Sequence, residues 1–177
     1  AAARLADLVQ DAPDARGALV AMLTAPPDER EELAREAEAV AAAPVASGPQ
    51  DPPSWVAELA RTNPGDPSAL APLVLELRRL EPGEGVFLPA GVPHAYLRGA
   101  GVEVMAASDN VVRGGLTPKH VDTDALVALL APPGATVRLL APEPVAPGVV
   151  RYSPPAPDIA LHRLSPDGGV VAVPSGA

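Results

Sequence analysis

Cysteine is absent from this chain of 177 residues, which rules out a disulfide framework and any thiolate metal site. Aromatic residues are nearly absent: one Trp, one Phe and two Tyr. A core made from this chain has to be aliphatic, and 47% hydrophobic residues supply enough material for one. Bases are scarce as well. The 13 Lys and Arg face 22 Asp and Glu, a formal net charge of -9. That balance argues against nucleic-acid binding through a basic face. No apolar run approaches the roughly 18 residues needed to cross a bilayer. No charged stretch followed by an apolar segment opens the chain, so no signal peptide is visible. The expectation is a cytoplasmic protein without nucleic-acid or membrane partners. The chain begins Ala-Ala-Ala and stops at Val-Pro-Ser-Gly-Ala just after an apolar run, which reads as a fragment cut at both ends.

What the chain has in small supply collects in one window, Glu84 to Asp122. There lie the only Phe (Phe87), the only Lys (Lys119), Tyr96, Met105, Asn110, His94 and His120. Elsewhere the alphabet is mostly Ala, Pro, Val, Leu, Gly, Arg, Asp and Glu. A bias that turns nearly every Lys into Arg would have erased Lys119 too. Its presence points to chemistry that a planar guanidinium does not supply and a compact ammonium does.

Charge divides the chain. Residues 1–72 hold 12 acids and 5 Arg, a net of -7; residues 73–177 hold 10 acids and 8 bases, a net of -2. The first part predicts helices. Leu5, Leu8 and Val9 recur at helical spacing, as do Leu19, Met22 and Leu23. A helix over Asp28–Ala43 follows Pro26-Pro27 and places acids in its first turns, where the dipole favours them. Ser54 is positioned to cap a short helix ending at Asn63-Pro64-Gly65. This half reads as a solvated helical layer packed on something else. Beyond Pro72 the alternation of Leu73, Leu75 and Leu77 predicts a strand through Leu80. Further short strands are expected at Val86–Leu88, His94–Leu97, Val102–Ala107, Val111–Arg113, Thr136–Leu140, Val149–Tyr152, Ile159–Leu164 and Val170–Val173. Asp122 or Thr123 can cap a helix carrying Leu126, Leu129 and Leu130. Short strands separated by Gly/Pro turns suggest a β-sandwich or barrel.

The turn Pro-Ala-Gly-x-Pro-His at residues 89–94, set between two short strands, is how cupin-type jelly rolls present a metal ligand. The longer run is more specific. LPAGVPHAYL followed by GVEVMAASDNVVRGGLTPKHVD, with NPGDP-SALAPLVLEL upstream, resembles class I, zinc-dependent mannose-6-phosphate isomerases over about Asn63 to Leu130. The resemblance implies a mixed fold: a partial cupin jelly roll with an inserted α-helical domain on its N-terminal side. It would divide the chain into a helical domain (1–72), a barrel half (73–130) and the start of a C-terminal β region (131–177).

The same resemblance implies one zinc ion held by two His, a Glu and a Gln. His94 matches the last of these in chain order; the other three belong to motifs absent from this chain, so they are expected upstream of it. Arg113 falls where the family has its catalytic Arg. Lys119 matches a position near the substrate phosphate. Glu103 and Asp109 match acidic pocket positions, and Tyr96 a wall of the pocket. The implied partner is a small sugar phosphate, with a monomer expected and the oligomeric state open. Plainer readings stand beside these. Arg113 could pair with Asp109, Glu103 and Asp109 could simply orient Arg113, Lys119 could be a surface residue, and Tyr96 could pack in a core. His120 reads as solvent-facing and His162 as structural. An isomerase of another sugar phosphate, or a non-catalytic sugar-binding cupin, are the competing functions.

Overall fold

A computed structural model describes residues 3–43, 51–108, 111–132 and 134–165. The chain divides into two compact units. The first comprises Ala1–Arg78, Pro93–Leu97 and Val111–Pro133, and the second Arg79–Val92, Arg98–Asn110 and Gly134–Ala177. The described residues mix α-helices with small antiparallel sheets.

The first unit is helical. Helices α1 (Ala3–Asp11), α2 (Ala15–Thr24), α3 (Pro27–Ala42) and α4 (Pro52–Thr62) lead into a 3-10 helix at Pro67–Leu73. The starts of α2, α3 and α4 have local causes. The Asp14 carboxylate accepts the Gly17 amide at 2.7 Å and caps α2. Prolines at the first positions of α3 and α4 preset the helical φ. The first turn of α1 is satisfied from another element. Glu36 on α3 accepts the amides of Arg4 at 2.6 Å and Leu5 at 3.1 Å, placing a carboxylate against two amides that have no partner within the helix. Arg4 also pairs with Glu29, and that bond raises the Arg4 guanidinium above its ordinary pKa.

These helices enclose a core of their own. Leu5, Leu19, Met22, Leu33, Val56 and Leu70 are buried together, with Leu116 and Leu126 packed against them. The spacing of Leu19, Met22 and Leu23 had marked the buried face of α2. The helical half thus buries its apolar stripe within itself and against Leu116 and Leu126. Asp51, and not Ser54, holds the N-cap position of α4, because the helix starts at Pro52.

The second unit carries the sheets. Strand β1 (Gly85–Phe87) pairs antiparallel with β2 (Arg138–Leu140). Strands β3 (Glu143–Ala146), β4 (Val149–Tyr152) and β5 (Leu161–Leu164) form an antiparallel sheet in that order. Val149 and Tyr152 are its buried residues. Helix α5 (Thr123–Leu129), in the first unit, is capped by the Asp122 carboxylate on the Ala125 amide at 2.9 Å.

Several expected strands are not there. Among the described residues, none of 74–80, 94–97, 102–107 or 111–113 is in a strand. The first case has a clear cause: the amides of Val74 and Leu75 both donate to the Ala71 carbonyl, at 3.0 and 2.9 Å, so the 3-10 turn runs past Pro72. The alternation of leucines there does not reflect a pleat. Among the described residues the other segments pair with no strand, and a strand without a ladder partner has nowhere to send its backbone hydrogen bonds. The described residues form no closed barrel. Val170–Val173 lies outside the described residues.

Candidate functional site

The expected turn at 89–92 forms. Val92 donates to the Pro89 carbonyl at 3.2 Å, and Gly91 takes φ +77°, a conformation that Gly enters without steric cost. His94 follows, exposed, with its ring in edge contact with that of Tyr96: centroids 5.8 Å apart and planes inclined by 68°. Tyr96 is 69% exposed, so it is not a core residue here.

Arg113 opens the segment Arg113–Gly114–Gly115–Leu116, and Lys119 and His120 follow; Arg113, Lys119 and His120 are exposed. Two residues of the 3-10 region hold this segment. The Ser68 hydroxyl donates to the Gly114 carbonyl at 3.0 Å, and Asp66 Oδ2 accepts the Leu116 amide at 2.7 Å. Further on, the Lys119 amide donates to the Thr117 hydroxyl at 3.2 Å, a local turn just before α5. A cleft of about 330 Å³ lies beside this contact, lined by Arg30, Asp66, Ser68, Gly115, Val121 and Thr123 among others. His94, Arg113 and Lys119 are not among its lining residues.

His94, Tyr96, Arg113 and Lys119 thus fall in the first unit and Glu103, exposed, in the second. Asp109 lies outside the described residues. His162 sits on β5, paired with Arg151 of β4. Among the described residues no group of three or more His, Asp or Glu is placed to hold a metal ion. His94 by itself does not make a zinc site, which takes three or four protein ligands. Sequence reasoning passed over Asp66 and Ser68. Their signal was legible: an Asp two residues before a Ser, across a Pro, is the pattern of a side chain accepting its own downstream amide.

Comparison with known proteins points one way. The chain is 44% identical to mannose-6-phosphate isomerase of Macaca fascicularis over 117 residues, 64% of this chain and 28% of that protein. It is 43% identical to the human mannose-6-phosphate isomerase over 117 residues, 64% of this chain and 28% of that one. With the Escherichia coli (strain K12) mannose-6-phosphate isomerase it shares 46% identity over 105 residues, 58% of this chain and 27% of the bacterial protein. The resemblance therefore reaches relatives in eukaryotes and bacteria. The aligned part is less than a third of the length of these curated relatives. No protein-family model matches the chain. No solved structure matches it. No helix among the described residues is long and apolar enough to cross a membrane.

Proposed function

We propose that this chain is part of a sugar-phosphate isomerase that interconverts mannose 6-phosphate and fructose 6-phosphate. The observation that carries the reading is the 43–46% identity to enzymes of that name. The reading brings with it zinc dependence, a cupin-type barrel completed by chain outside these residues, a monomeric state and a cytoplasmic location. It also keeps the helical domain at 1–72, the barrel half at 73–130 and the β region from 131.

The chemistry assigns roles to this chain's own side chains. Converting an aldose to a ketose passes through an enediol, with charge developing on the oxygens at C1 and C2. The Arg113 guanidinium stabilises that charge by being held in place before it appears. Lys119 binds the phosphate at the far end of the sugar, where a compact charge meets three oxygens. Tyr96 forms a wall of the pocket next to His94. Glu103 and Asp109 supply acidic groups in or near it. His94 serves as a metal ligand whose partners lie outside this chain. The described residues do not complete that site, so the 177-residue chain alone is expected to be inactive.

The deciding experiment is an isomerase assay of the complete protein with mannose 6-phosphate, alongside metal analysis of the purified enzyme. Turnover with zinc bound in about one equivalent supports the reading. Turnover of a different aldose phosphate in its place would keep the isomerase and change its substrate. Sugar binding without turnover would make it a sugar-binding cupin.

A further inference from the structure

We propose that Asp66 is a positioning residue that sets the backbone carrying Arg113 and Lys119. The inference rests on the isomerase reading for the roles of those two cations, and on the structure for the contact itself.

One carboxylate serves two backbone amides far apart in sequence. Asp66 Oδ1 accepts the Ser68 amide at 2.9 Å, and Oδ2 accepts the Leu116 amide at 2.7 Å. Next to it the Ser68 hydroxyl, on a residue only 5% exposed, donates to the Gly114 carbonyl at 3.0 Å. The two bonds fall on either side of Gly115. That residue has φ +122°, and a Cβ there would collide with the Ser68 side chain. Glycine is required at 115 on both counts. Leu116 has φ +54°, the only non-glycine residue with positive φ among the described residues. A β-carbon disfavours that conformation, which persists only where the surroundings over-determine it. Here the surroundings are the Asp66 carboxylate on its amide and the helical core against its side chain.

The consequence is positional. The latched residues begin immediately after Arg113 and end three before Lys119. A guanidinium acting on developing charge must be held in place, since a displacement of about 1 Å can cost on the order of 100-fold in rate. Both oxygens of Asp66 are engaged with amides in charge-assisted hydrogen bonds, the stronger class. Asp66 therefore acts on the reaction through Arg113 and does not itself touch the reacting atoms.

The test is a cycle in the complete protein: Asp66→Ala, Arg113→Ala and the double variant, assayed with mannose 6-phosphate. Asp66→Ala should lower kcat about 10- to 100-fold through Arg113 and raise KM through Lys119. In the Arg113→Ala background the same substitution should change kcat by less than about 2-fold, because no guanidinium remains to be misplaced. Equal factors in both backgrounds, or a normal kcat in Asp66→Ala, would overturn the proposal. Amide hydrogen exchange reads the latch without catalysis. Protection at Ser68 and Leu116 should fall in Asp66→Ala, and unchanged protection would equally overturn it. If the unsubstituted protein does not isomerise, the isomerase reading fails, and exchange at Leu116 still decides whether Asp66 sets this backbone. Should Asp66→Ala not fold, Ser68→Ala removes the neighbouring bond alone and is expected to show the same non-additivity with Arg113→Ala.

Discussion

The Tyr152 hydroxyl donates to the Gly83 carbonyl at 2.6 Å, tying the end of β4 to the turn that precedes β1. The ring of Tyr152 lies against Gly85, where an added Cβ would come within 2.8 Å of Cδ1. One aromatic residue thus joins parts of the second unit that are 69 residues apart. Tyr152→Phe keeps the ring and removes the bond. We expect a loss of about 0.5–1.5 kcal/mol, the net worth of one hydrogen bond, in denaturant unfolding. Gly85→Ala should cost more, because the ring has to move.

Glu36 provides a second stability test. It accepts two amides at the start of α1, so Glu36→Ala should destabilise by about 1–2 kcal/mol, the scale of losing an N-cap. The loss should appear first as faster hydrogen exchange at Arg4 and Leu5. Exchange there that is unchanged would mean that water replaces Glu36 without cost.

His94 and Arg113 should separate metal binding from chemistry in the complete protein. His94→Ala is expected to remove most of the bound metal together with activity. Arg113→Ala should keep its metal and lose about 10^2–10^3 in kcat, as for one preorganised group at developing charge. Metal content measured beside turnover distinguishes the two. Near-normal turnover in Arg113→Ala would make Arg113 structural.

Lys119 tests phosphate recognition. A contact remote from C1 and C2 is present in ground and transition states alike, so its loss raises KM and leaves kcat nearly unchanged. A charge-assisted hydrogen bond contributes roughly 1.5–3 kcal/mol, about a 10- to 150-fold rise in KM for Lys119→Ala. Lys119→Arg should recover part of this, because a fork replaces a point charge. An unmoved KM would leave the only lysine of the chain as a surface residue.

Local chemistry in the sequence determined much of the first unit. The spacing of Leu19, Met22 and Leu23, the Pro26-Pro27 start of α3 and the Asp122 cap of α5 each depend on residues within a few positions of one another, as does the turn at Gly91 in the second unit. In the second unit, β4 formed where β-branched Val149 and Val150 lie beside a tight turn. Tertiary structure decided the rest. Residues 94–97, 102–107 and 111–113 have the composition of strands, but a strand exists only with a hydrogen-bonded neighbour, and composition does not name one. The bond from Asp66 to Leu116 spans 50 residues, and nothing local marks that pairing. Periodicity and capping are properties of adjacent residues and can be read along the chain. Which carboxylate meets which distant amide is settled only when the core closes and brings them within 3 Å.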